Sequence, residues 1–216
     1  MKQWPVPTLP LPRVILTVTL LAALVALLAM GCASAPPRNP NDACAIFAQY
    51  PHWYREARRA QERWGVPVPV LLAIIHHESG FQAEARPPRR RYLWIIPGPR
   101  RSSAYGYAQA LDGTWDWYRQ STGNRGADRN DFGDAVDFVG WYLQENRRRN
   151  GVALDDAYSQ YLAYHQGHTG YARGDHLGQN WLHRIAQGVE RQAVRYAKQL
   201  QNCRGELERE RGWGLF

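Results

Sequence analysis

The chain has 216 residues, 44% of them hydrophobic and 21% charged, enough for one domain with a real core. Its net charge of +8 suits an anionic polymer as partner. No G-x-S-x-G, P-loop or G-x-G-x-x-G turn occurs, and Cys44 and Cys203 lie near the domain ends, so serine-hydrolase, nucleotide-binding and cysteine-nucleophile chemistry find no support.

Residues 1–31 read as a targeting segment. Lys2 and Arg13 supply positive charge, Val14 to Met30 is apolar apart from Thr17 and Thr19, and "LLAMGCAS" closes it with small residues. This end resembles the lipobox of bacterial lipoproteins, in which Cys32 becomes the lipidated N-terminus. Ala33 after it resembles the sorting pattern for the outer membrane. A plain secretory signal or a single membrane anchor are the other readings, and each places the rest of the chain outside the cytoplasm, which conflicts with a nucleic-acid partner. Residues 32–42, "CASAPPRNPND", read as lipidated Cys and Pro-rich tether, followed by a domain over 43–203 and a charged, frayed tail over 204–216. In an oxidising compartment Cys44 and Cys203 are either a disulfide or two buried thiols, since spacing leaves both open.

Asn41 or Asp42 caps a short helix through "ACAIFAQY". Pro51 opens and Gly65 closes a second helix, and Pro67 and Gly80 do the same for "VPVPVLLAIIHHESG". Periodicity then fails from Phe81 to Tyr105. "RPPRRRYLWIIPGPRRSS" predicts a long basic loop with one hairpin or small strand, functional or mobile by its length. Helical patterns resume over 110–121, 131–151, 154–167 and 179–202, the last with Trp181, Ile185, Val189, Ala193 and Tyr196 at a period of 3.6. The fold class is therefore α+β, mostly α.

Within the third helix Leu71, Ile74, Ile75 and Glu78 fall on one arc of about 100°, so a carboxylate points where core side chains point. Desolvation and the negative helix end both raise its pKa, which makes Glu78 a neutral acid able to protonate a leaving oxygen. The competing reading swings Glu78 out to solvent at a frayed end. A zinc site is disfavoured: "HHE" is followed, four residues after His77, by Phe81 rather than His.

Three motifs in order, "ESGF" (78–81), "AYGYAQ" (104–109) and "YLAYHQG" (161–167), resemble the lytic transglycosylase SLT domain of the goose-type lysozyme-like superfamily. Glu78 and Ser79 match its first motif, Gly106 and Gln109 its second, Ala163, Tyr164 and Gly167 its third. His165 stands where that family has Asn, and Tyr107 and Ala108 where it has Leu and Met. The resemblance covers about residues 64–190. It implies a lysozyme-like helical domain with a small β/loop region beside a substrate groove, no cofactor and no metal. It also implies cleavage of the MurNAc-GlcNAc β-1,4 bond of peptidoglycan to 1,6-anhydroMurNAc products, with Glu78 as the single acid and base. Gln109 and Tyr164 are expected to orient the sugar and Glu78. Ser79, Ser103, Gly106, Tyr107, His165 and Gly167 are expected to line the groove, with Tyr105, Tyr107, Trp115 and Trp117 offering stacking faces or packing in the core. The basic loop has the stem-peptide carboxylates as its expected partner. Glycan strands and, through the lipid, the periplasmic side of a Gram-negative outer membrane complete the expected partners. A hydrolytic muramidase using Asp112, Asp116 or Glu84 as second carboxylate, or a non-catalytic peptidoglycan-binding lipoprotein, are the alternatives. The sequence leaves the oligomeric state open.

Overall fold

The computed structural model describes residues 35–92 and 96–212, so the targeting segment and Cys32 lie outside the described residues. Helix α1 (Ala43–Gln49) starts where the Asp42 carboxylate accepts from the amides of Cys44 and Ala45. The expected tether does not hang free from residue 35 onward. The carbonyls of Ala35, Pro40 and Asn41 accept hydrogen bonds from Tyr50, Tyr196 and Gln199, so the Pro-rich segment is bound down by side chains of the domain.

Helix α2 (Pro51–Trp64) and α3 (Val68–Ser79) each carry proline in the first turn and end on a left-handed glycine, Gly65 and Gly80. Those glycines adopt φ of 77° and 59°, which a side chain resists, and so fix where each helix stops. The stripe read along α3 understates its burial. Val68 and every residue from Val70 to Ile75 are buried, because α3 is sandwiched by α2, α5, α6 and α8.

After α3 a two-stranded antiparallel hairpin follows, β1 (Arg89–Tyr92) and β2 (Ile96–Arg100), with Arg91 opposite Pro97 and a bulge between Arg89 and Arg91. The run "YLWII" straddles the two strands instead of forming one, Tyr92 ending β1 and Ile96 opening β2. Helices α4 (Asp112–Thr122), α5 (Phe132–Asn150) and α6 (Ala157–Gln166) agree with their sequence patterns within a few residues. A short α7 (His168–Ala172) gave no separate signal in the sequence.

The last helix, α8, runs over Asn180–Gly212, about 50 Å at 1.5 Å per residue. The expected frayed tail is therefore helical well past residue 203. Leu207 is buried, and Arg204 pairs with Glu208 one turn on at 2.7 Å. A disulfide joins Cys44 on α1 to Cys203 on α8 across 159 residues of sequence. The described residues are mostly α-helical around one aromatic-rich core, in which Trp53 stacks on Phe132 with ring centroids 4.1 Å apart.

Candidate active site

The last turn of α3 is only partly covered, with His77 exposed, but the Glu78 carboxyl within it is desolvated against Tyr161 of α6. Desolvation raises its pKa from 4.5 to about 7, while a hydrogen bond from the Tyr161 hydroxyl pulls the other way. The acid read from periodicity is thus held in a desolvated setting, and the solvent-facing alternative does not describe it.

Two tyrosines, three residues apart on α6, turn toward this carboxyl. Tyr161 donates to it, and both Tyr161 and Tyr164 have hydroxyls pushed well above their ordinary pKa by burial and by the Glu78 charge. Sequence reasoning missed Tyr161. The signal was available: with Tyr164 assigned, the residue one turn earlier shares its face of the helix.

The 105–110 turn is built for close approach. Gly106 adopts φ of 77°, and a Cβ there would lie 2.0 Å from the carbonyl oxygen of Arg129, so no side chain fits. Gln109 also sits in the left-handed region, φ 48°, which folds its side chain back under the turn. Its amide donates to the carbonyls of Ala85 at 2.9 Å and Gly106 at 2.8 Å, and the Tyr164 hydroxyl donates to Ala108 at 2.6 Å. The expected sugar-orienting donors therefore spend their protons on the turn. Together they brace it, and the Tyr164 bond pins it to α6.

Some of the other expected groove residues are corrected by their positions. Tyr107 is buried, edge-on to Trp53 and Phe132 at 5.6 and 5.7 Å, because the Gly106 turn aims it inward; its ring offers no stacking face. Trp115 is likewise a core residue, and the half-buried Trp117 packs on Trp141 at 4.4 Å beneath Arg149. The guanidinium groups of Arg86 and Arg129 both lie over the Tyr105 ring, 3.9 and 5.3 Å from its centroid. Ser79 donates to the Ile75 carbonyl at 3.2 Å within its own helix, and the Ser103 hydroxyl accepts from the Asp112 amide at 3.1 Å, steadying the start of α4.

What the structure does bring together is a recess of about 220 Å³ lined by Gln109, Leu111, Thr114, Tyr142, Tyr164 and His165. Gly167 closes it with φ 75° and ψ 155°, a conformation open in practice only to glycine, which turns the chain from α6 into α7. Tyr164 links this recess to Glu78. Burial lowers the pKa of both His77 and His165, and the His165 charge lowers that of His77 further, so both rings are neutral at pH 7.

The carboxylates offered for a second role lie elsewhere. Asp112 is ion-paired to Arg129 at 2.8 Å and Asp116 to Arg119 at 3.6 Å, around a separate polar cavity on the other side of the start of α4. Glu84 is exposed to solvent.

Among known proteins, a family model described as "Transglycosylase SLT domain" matches residues 20–203 of the chain. No curated protein and no solved structure gives a significant match.

Proposed function

The chain belongs to the transglycosylase SLT domain family, lytic transglycosylases of the lysozyme-like superfamily, and from that premise we propose that Glu78 is the one acid and base of a peptidoglycan lytic transglycosylase. The observation that carries the reading is a carboxyl held protonated up to about pH 7, next to a recess and faced by two tyrosines.

In this reading Glu78 gives its proton to the oxygen between MurNAc and GlcNAc. The C1–O bond breaks, and positive charge builds on the MurNAc ring. The C6 hydroxyl of the same MurNAc attacks C1, its proton passes to the Glu78 carboxylate, and the acid is restored. The product is a 1,6-anhydro sugar and no water is consumed. Closure within one sugar gains from proximity, which is why a single carboxyl suffices. Engagement of Asp112 and Asp116 by arginines around another cavity favours this over a hydrolytic route.

Tyr161 has a positioning role here: its hydrogen bond favours the ionised Glu78 that forms when the proton leaves. For the wild type, cleavage of purified sacculi is expected to fall as pH rises through about 7, where the acid deprotonates. Tyr161→Phe removes a bond that lowers the Glu78 pKa, so that descending limb moves to higher pH while kcat drops about tenfold. An unmoved limb in the variant would remove Tyr161 from the mechanism.

The same reading places the enzyme as a lipoprotein, anchored through Cys32 on the periplasmic side of a Gram-negative outer membrane, with glycan strands as substrate. Its support is the charge, apolar run and "LLAMGCAS" end of residues 1–34. Intact mass of the protein extracted from membranes is expected to show residues 32–216 carrying acyl groups; an unmodified chain would remove the anchor.

A further inference from the structure

The recess beside Tyr164 is small for a glycan strand. At about 220 Å³ it falls below the ~300–1,000 Å³ of ordinary ligand pockets, so it holds little more than one sugar ring, and a polymer must continue over exposed surface. The side chains leading away from it are rings. His165 lines the recess and meets the Trp181 indole edge-on, centroids 5.2 Å apart, and His77 lies beside His165 while contacting Tyr161 at 5.0 Å.

Trp181 is 45% exposed, although it sits in the first turn of α8 next to the fully buried Leu182. The core has taken Leu182, Ala186 and Val189 from this helix and left the indole outside. A lone exposed apolar residue is ordinary, but this one is in ring contact with the exposed His165 of the recess, and the exposed His77 lies near His165. Neutral imidazoles beside an indole present flat, weakly polar faces. The axial C–H bonds of a pyranose present the matching apolar face, and the hydroxyls at its edge stay in water.

We propose that Trp181, flanked by His165 and His77, is a stacking subsite for a pyranose ring of the glycan strand, on the other side of His165 from the Gln109–Tyr164 recess. The inference rests on the peptidoglycan reading of Glu78. Its occupant is a GlcNAc-type ring of the same strand whose neighbour fills the recess. The subsite adds affinity for long strands over short ones and does not touch the reacting atoms.

The test measures binding without turnover, by calorimetry on the full-length Glu78→Gln protein in detergent, with GlcNAc monomers and hexamers as probes. Adding Trp181→Ala is expected to weaken hexamer binding about tenfold and leave monomer binding in the recess unchanged, with Trp181→Phe restoring most of the loss. In the otherwise wild-type enzyme the same change raises KM on sacculi and leaves kcat and the pH profile in place. Equal hexamer affinity with and without the indole overturns the subsite alone. Binding of neither probe nor sacculi by the Glu78→Gln protein overturns the glycan reading and the subsite with it. Equal losses for monomer and hexamer, unrepaired by Phe, would make Trp181 a structural residue and also overturn the proposal.

Discussion

Glu78→Gln is expected to lower cleavage of sacculi about 10³- to 10⁴-fold and, at the same time, to stabilise the protein above neutral pH. The first effect follows from removing the proton that the leaving oxygen needs, with no carboxyl among the described residues lining the recess to replace it. The second follows from linkage. The unfolded chain ionises this residue near 4.5, but the folded protein resists until about 7. Across that window the native state binds the extra proton, so stability contributed by the neutral acid is full below 4.5 and lost as pH rises through 7. The gap corresponds to about 3 kcal/mol of strain at pH 8, which a neutral amide does not carry. Thermal melts at pH 4 and pH 8 check this: the Tm of Glu78→Gln should exceed that of the wild type at pH 8 and match it at pH 4. A variant that is inactive and less stable at pH 8 would mean that Glu78 is a structural residue.

Loss of the Cys44–Cys203 disulfide is expected to be the largest single cost to stability. The bridge closes 159 residues, nearly the whole domain, and chain-entropy arguments give about 5 kcal/mol for a loop of that length, with about 2–5 kcal/mol observed for native bridges. Its position makes the cost local as well as global. Gln199 accepts from the Ala43 amide and donates to Asn41, so the bridge and these bonds together clamp residues 35–49 to α8. Denaturant titration of Cys44→Ser/Cys203→Ser should show a lower midpoint with a smaller ΔG of unfolding; an unchanged midpoint would show that the rest of the packing holds the ends unaided.

Much of this fold is written in local punctuation. Pro51, Pro67 and Pro69 start helices, and Gly65, Gly80, Gly123 and Gly151 stop them in left-handed conformations that few other residues reach. Glu78 was legible for a related reason: a charge on an apolar helix contradicts its surroundings. The extension of α8 was legible and under-read. Leu200, Cys203 and Leu207 continue the apolar spacing beneath the charged residues that suggested a frayed tail.

What local signals do not carry is direction after a turn and contact between helices. Tyr107 looks like a groove residue in "AYGYAQ", but one positive φ at Gly106 sends its ring into the core beside Trp53. Gln109 and Tyr164 match family positions, yet their donors serve the turn's carbonyls, and only the packing of α6 on α3 reveals Tyr161 as the hydroxyl on Glu78. The bound-down segment 35–42 is of the same kind, because its partners Tyr50, Tyr196 and Gln199 include residues more than 150 positions away.

In the proposed reaction Glu78 alone moves the proton and the sugar closes on itself. Digestion of purified sacculi by the full-length enzyme in ¹⁸O-labelled water, followed by mass spectrometry of the released muropeptides, tests it directly. The released muropeptides are expected to carry 1,6-anhydroMurNAc ends, one water lighter than reducing ends and free of label. Labelled, reducing MurNAc ends would contradict it, because they require a water molecule and a second group to direct it.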